Sequence, residues 1–140
     1  MEIGGYQFPD ELYYDKEHNW ARVDGDQATI GVTDFAQAIA GEIVFAETPR
    51  VGRSIESGNP FMSMESGKWV GRIKAILSGQ IDEANEEIEF DSTIINQSPY
   101  GDGWLAKITL NNPAELDGLY HADNADFQAF ILAEKEKYGK

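Results

Sequence analysis

Lys68 offers the clearest chemical opportunity in the chain. It stands in the run Gly58-Asn59-Pro60-Phe61-Met62-Ser63-Met64-Glu65-Ser66-Gly67-Lys68-Trp69, which continues to Ser78-Gly79. A lysine's long stem ends in an amine that can be acylated, so a well-placed lysine can hold a flexible covalent arm. Gly67 supplies a position tolerant of positive φ, as a tight turn needs, which puts Lys68 at a hairpin tip and not on a sheet face. Gly58 lies ten residues before it and Gly79 eleven after, so the two arms of the hairpin are nearly equal. Spacing alone favours one more solvated turn lysine.

Other reactive groups are scarce. The absence of cysteine removes disulfides, thiolate nucleophiles and thiolate metal sites together. His18 and His121 stand alone among scattered carboxylates, with no ligand spacing such as H-E-x-x-H, so neither a metal site nor a catalytic residue is expected. His18 reads as packed beside Trp20, and His121 as a loop residue between C-terminal helices. Trp69, Tyr100 and Trp104 could form a cofactor-free docking surface, although aromatics in β-rich chains more often serve a core.

The bulk properties narrow the classes of partner. A net charge of -14, from 25 Asp and Glu against 11 Lys and Arg, repels nucleic-acid backbones and anionic membranes. It suits either solubility or docking on basic protein surfaces. Hydrophobic residues make up 41% of the chain, with 7 Phe, 6 Tyr and 3 Trp, which argues against disorder. No apolar run is long enough to span a bilayer. The start MEIGGYQFPDELYYDKEHNW lacks the basic and apolar parts of a secretory signal, so a cytoplasmic location is expected.

Short strands must position Lys68. Asn19 to Val32 reads as a β-hairpin around an Asp-Gly turn, with Ala28, Ile30 and Val32 alternating after it. Thr33 can cap a helix carrying Phe35 and Ile39, which Gly41 can end. Glu42–Glu47, Pro60–Glu65 and Val70–Leu77 read as strands, and SPYGDG as a loop before a strand with Trp104, Leu105 and Ile108. Asn112-Pro113 begins a first C-terminal helix, and Phe127, Phe130 and Ile131 form the stripe of a second. Met1–Gly5 and the chain from Glu134 onward are candidates for disorder. Residues 1–140 are expected to form a single domain.

The ordered set Lys16-Glu17-His18-x-Trp20, Ala28-Thr29-Ile30-Gly31-x-Thr33-Asp34-x-Ala36-Gln37, Gly41-Glu42-Ile43-Val44-Phe45, Glu65-Ser66-x-Lys68, Ser78-Gly79, Asn85, Ser98-Pro99-Tyr100-x-x-Gly103-Trp104 and Pro113-x-Glu115-Leu116 resembles the H protein of the glycine cleavage system. The resemblance covers almost the whole chain. It implies a mainly β fold with α elements: a flattened barrel or sandwich of the lipoyl and biotinyl type, a lysine-bearing hairpin, one inner helix and C-terminal helices. It also implies a non-catalytic carrier with lipoic acid amide-linked to Lys68, and Glu65 and Ser66 as the context that the lipoyl-attachment enzyme recognises. Biotin is the rival cofactor, but biotin acceptors favour methionine on both sides of the lysine, where Gly67 and Trp69 stand.

The pattern also departs from that family. H proteins carry an acid before the tryptophan matching Trp20 and another four residues after the lysine, positions thought to face a cationic aminomethyl cargo. Here these are Asn19 and Arg72, with Lys74 two residues further along the same strand face. The exchange disfavours an amine and suits an anion. The favoured expectation is therefore a lipoate-binding protein of a sulfur-oxidation system, with heterodisulfide-reductase-like partners. The alternative is a glycine cleavage H protein, served by a lipoate ligase, a decarboxylase, an aminomethyltransferase and dihydrolipoyl dehydrogenase.

Overall fold

A computed structural model describes all 140 residues. The chain opens with two short paired strands, β1 (Glu2–Ile3) and β2 (Tyr6–Gln7), followed by β3 (Tyr13–Tyr14). Strands β4 (Asn19–Asp24) and β5 (Gln27–Val32) form the expected hairpin, and Gly25, the first of its two loop residues, takes φ +64. Helix α1 (Asp34–Ala40) follows. Thr33 caps it by accepting from the Ala36 amide at 3.1 Å, and Gly41 ends it at φ +82, a region that a side chain disfavours.

Strands β6 (Ile43–Glu47), β7 (Ser54–Ile55), β8 (Pro60–Ser66), β9 (Val70–Lys74) and β10 (Gly79–Ala84) come next. Two short helices, α2 (Glu87–Phe90) and α3 (Ile94–Gln97), lead to β11 (Ala106–Leu110). They occupy a stretch whose many acids mask the buried Ile88 and Ile95. The final strand starts two residues after Trp104, because Asn85 ties the preceding segment down by donating to the carbonyls of Asp102 and Trp104.

Two layers result. A six-stranded sheet has the order β3-β4-β5-β11-β10-β7, and a three-stranded sheet the order β6-β8-β9. Their facing sides bury Ile30, Ile43, Met64, Leu77, Ile81 and Ile108. The sheets stay open, so the sandwich form of the expected fold holds and the closed barrel does not. At one end an aromatic cluster of Phe8, Tyr14, Trp20, Phe35 and Phe127 packs on helix α4 (Ala125–Tyr138). The Trp20 indole donates to the carbonyls of Val32 and Pro99, both at 3.0 Å, and lies so close to Gly31 that a Cβ there would come within 2.6 Å of the ring.

The first expected C-terminal helix is a single 3-10 segment, Pro113–Gly118, whose proline start is not followed by enough apolar spacing to continue. The two ends expected to be disordered are regular. Glu2–Ile3 pairs with Tyr6–Gln7, and Lys135 of α4 donates to the Gly4 carbonyl at 2.7 Å. That contact spans 131 residues and is invisible to local patterning.

Candidate functional site

Lys68 is exposed at the tip joining β8 to β9, where the sequence placed it. The turn is built differently from the expectation. Gly67 is not among the residues of positive φ, and a Cβ built on it would touch nothing within 4 Å. The tip is shaped instead by Ser66. Its hydroxyl donates to the Ala40 carbonyl at 2.5 Å and accepts from the amides of Lys68 and Trp69 at 3.2 and 3.1 Å. The Ser66 amide in turn donates to the Trp69 carbonyl at 2.7 Å. One buried hydroxyl thus replaces the backbone strain that a glycine turn would carry, and joins the hairpin to the end of α1.

The two residues expected to guide modification divide in role. Ser66 is only 8% exposed and fully engaged, so it sets the conformation of the tip. Glu65 is half-buried on the outer face of the three-stranded sheet, level with Phe45 and Val70, and makes no side-chain hydrogen bond or ion pair. It is free for an enzyme to read.

The Lys68 stem runs back over Gly41, where a Cβ would sit 3.6 Å from Cδ and 3.8 Å from Cε. There the lysine borders a cleft of about 350 Å³ between the free edge of β9 and the α1 side of the molecule. Ile39, Ala40, Ile43, Met64 and Ile73 make its floor, and Asn19, Arg72, Lys74 and Glu17 its polar rim. The three residues singled out around cargo charge therefore meet Lys68 in space. Gln37 and Tyr138 also line the cleft. Sequence reasoning carried Gln37 only inside the family motif and missed Tyr138, which arrives from the far end of α4.

Asn19 is 3% exposed and mainly structural in its contacts. Its side-chain amide donates to the Lys74 carbonyl at 2.9 Å, closing part of the open edge of β9, and to Asp15 Oδ2 at 3.1 Å. Burial pushes the Asp15 carboxyl upward, and the donors from Asn19 and the Glu17 amide oppose that rise. Lys74 pairs with Glu17 at 3.7 Å, both exposed, so the pair is worth little and is easily exchanged for a ligand. Arg72 forms no ion pair.

No group of three potential metal ligands is present, and each histidine is engaged by other partners. His18, at φ +66, packs between the rings of Phe35 and Phe130, centroids 5.1 and 5.5 Å away, and bonds Glu134 through Nε2 at 2.9 Å. The rings it packs on are these two phenylalanines, and Phe35 belongs to the same cluster as Trp20. His121 bonds the Leu12 carbonyl through Nδ1 at 2.9 Å. The aromatic docking surface also dissolves. Tyr100 is an internal strut, donating to the Gln7 carbonyl at 2.6 Å and accepting from the Asp34 amide, with its phenol pushed up by burial. Trp69 alone of that trio is exposed, at 38%.

An open β-sandwich that lifts one lysine on a hairpin beside an apolar cleft defines a carrier of the lipoyl class. The glycine cleavage H-protein family model matches residues 12–130. The H protein of Herpetosiphon aurantiacus is 44% identical over 92% of this chain and 97% of its own length, and that of Staphylococcus carnosus 45% over 82% and 91%. The crystal structure of a glycine cleavage H protein from Mycobacterium marinum superposes with a TM-score of 0.71 at 32% identity, over 74% of this chain and 87% of that one. The chain belongs to the glycine cleavage H-protein family, whose members are non-catalytic and carry lipoic acid covalently on a lysine. No helix is long and apolar enough to cross a membrane.

Proposed function

We propose that residues 1–140 act as one cytoplasmic carrier unit bearing lipoic acid on Lys68, and that the unit serves glycine cleavage as its H protein. The observation that carries the attachment site is the exposed Lys68 tip, fixed by Ser66 at the mouth of a cleft. The pathway reading rests on the consistent likeness to glycine cleavage H proteins, and it reverses the order in which the residues alone had ranked the two pathways. A lipoyl-attachment enzyme, a glycine decarboxylase, an aminomethyltransferase and dihydrolipoyl dehydrogenase are the partners of this reading.

In mechanism, lipoic acid supplies a dithiolane that accepts and releases a group. The chain's own residues provide reach, through the Lys68 stem, and shelter, through the apolar floor of Ile39, Ala40, Ile43 and Met64. These residues would exclude water from a group held on the arm.

One observation favours the second reading, a sulfur-oxidation carrier with heterodisulfide-reductase-like partners. Unpaired Arg72 and weakly paired Lys74 border the cleft. These cations would oppose an aminomethyl cargo, an effect that Glu17 on the same rim partly offsets. An anionic sulfur adduct gains the same interactions.

Two measurements test these statements. Intact mass and peptide mapping after treatment with a lipoate ligase should show one lipoyl increment on Lys68 and none in Lys68→Arg; an increment elsewhere, or none in the native chain, overturns the assignment. Lipoylated protein should support exchange of carbon dioxide with glycine alongside the decarboxylase. Failure of that exchange in a fully lipoylated sample passes the pathway to the second reading.

A further inference from the structure

The positive charge of this acidic chain is unevenly distributed. Only four arginines are present, and, together with Phe61, Met62 and Ser63 of β8, Arg50, Arg53 and Arg72 line one open groove of about 1030 Å³. None of the three makes an ion pair, although the chain holds 25 carboxylate side chains. Glu47 and Glu86 line the same groove without coming within pairing distance of an arginine. Mobile surface side chains in such an excess of acid would readily pair, so three unpaired guanidiniums in one place leave a surface complementary to an external anion.

The groove is also held rigid. Arg50 and Arg53 flank a turn closed by the Arg53 amide donating to the Arg50 carbonyl at 3.2 Å. Two backbone bonds of 2.8 Å, from Gly52 to the Ile81 carbonyl and from Ile81 to the Arg53 carbonyl, fasten that turn to β10. At its apex Val51 is 58% exposed. Arg53 Nη1 donates to the Phe61 carbonyl at 3.2 Å, which fixes its direction, while the Arg50 side chain makes no hydrogen bond. A fixed apolar contact between two guanidiniums is the arrangement of an interface anchor, because little side-chain freedom is lost on binding.

Arg72 borders this groove and the Lys68 cleft alike. It stands two residues after Val70, the first residue of β9, on the strand that leads away from the Lys68 tip. We propose that the groove of Arg50, Val51, Arg53 and Arg72 is the docking surface for an acidic segment, bearing one apolar side chain, of the enzyme that acts on the arm. The proposal rests on the carrier reading. Docking there leaves the tip and cleft free, so partner recognition and cargo handling use separate surfaces joined by Arg72. Its carboxylates would pair with guanidiniums that form no ion pair within the chain, and salt would weaken the complex.

The test uses the full chain in lipoylated form with two readouts. First, a synthetic peptide of glutamates around a single leucine is titrated against isotope-labelled protein. Amide shifts should gather at residues 50–53, 61–63 and 72, vanish in Arg50→Glu/Arg53→Glu, and weaken between 50 and 300 mM salt, over which the Debye length falls about 2.5-fold. Second, in glycine–carbon dioxide exchange with the decarboxylase, the double variant should raise KM for the carrier about fivefold or more with kcat unchanged, while its rate of lipoylation stays that of the native chain. Arg50→Glu alone, which removes no internal bond, should give the same direction. Peptide shifts scattered over other cations, or an unchanged KM in an active exchange assay, overturn the docking surface. If the native chain supports no exchange, the pathway reading falls and the peptide map alone decides the groove.

Discussion

The base and the tip of the Lys68 hairpin are held by opposite means. At the base, the Ser78 amide and hydroxyl both donate to the Glu115 carboxylate at 2.7 Å, and the Ser57 amide donates to the Ser78 hydroxyl at 2.9 Å. Gly79 lies against the backbone carbonyl of Thr109 in β11 with no room for a side chain. At the tip one hydroxyl, Ser66, organises everything, and Gly67 faces open space. Tightness falls along the hairpin from the sheet to the lysine. A carrier needs that gradient: a mounting that does not yield, and an end that other enzymes can reach.

Substitutions along this gradient should separate folding from modification. Gly79→Ala forces a Cβ into the Thr109 carbonyl, which only a backbone shift relieves, and should cost about 3 kcal/mol, seen as a large fall in the denaturant midpoint. A midpoint equal to that of the native chain would break the contrast between base and tip. Glu115→Gln weakens a charged acceptor that serves two donors and should cost about 2 kcal/mol in the same assay at unchanged slope.

Ser66→Ala should cost only about 1 kcal/mol, because the tip's backbone amides regain water, yet slow lipoylation several-fold in a ligase time course. A larger loss of stability than of lipoylation rate would assign Ser66 to the core instead. The smallest effect belongs to Gly67→Ala. With negative φ and no neighbour it should leave the midpoint unchanged or raise it by about 0.5 kcal/mol, with lipoylation intact. Clear destabilisation there would restore the glycine turn expected from the sequence.

That last contrast marks where sequence reading stopped. The turn was legible because Pro60–Glu65 and Val70–Leu77 read as strands on either side of a short break, although β9 itself ends at Lys74. Its chemistry was misattributed to Gly67 because a glycine is visible locally. The acceptor that recruits Ser66 is the carbonyl of Ala40, 26 residues earlier. The α2 and α3 helices were missed because one turn each is too short for a helical period to register. The ends read as loose for the same reason: Gly4 and Lys135 have no local partner.

The sequence by itself determined that a lysine would stand between two strands of a β-rich, acidic, cysteine-free chain, since strand alternation, turn residues and net charge act over a few residues or over all of them at once. Only the tertiary structure decided that Asn19, Arg72, Lys74 and Tyr138 share the Lys68 cleft, and that three of four arginines share a groove. Those groupings depend on how two sheets and a terminal helix pack, and packing brings together residues whose separation along the chain carries no local signal.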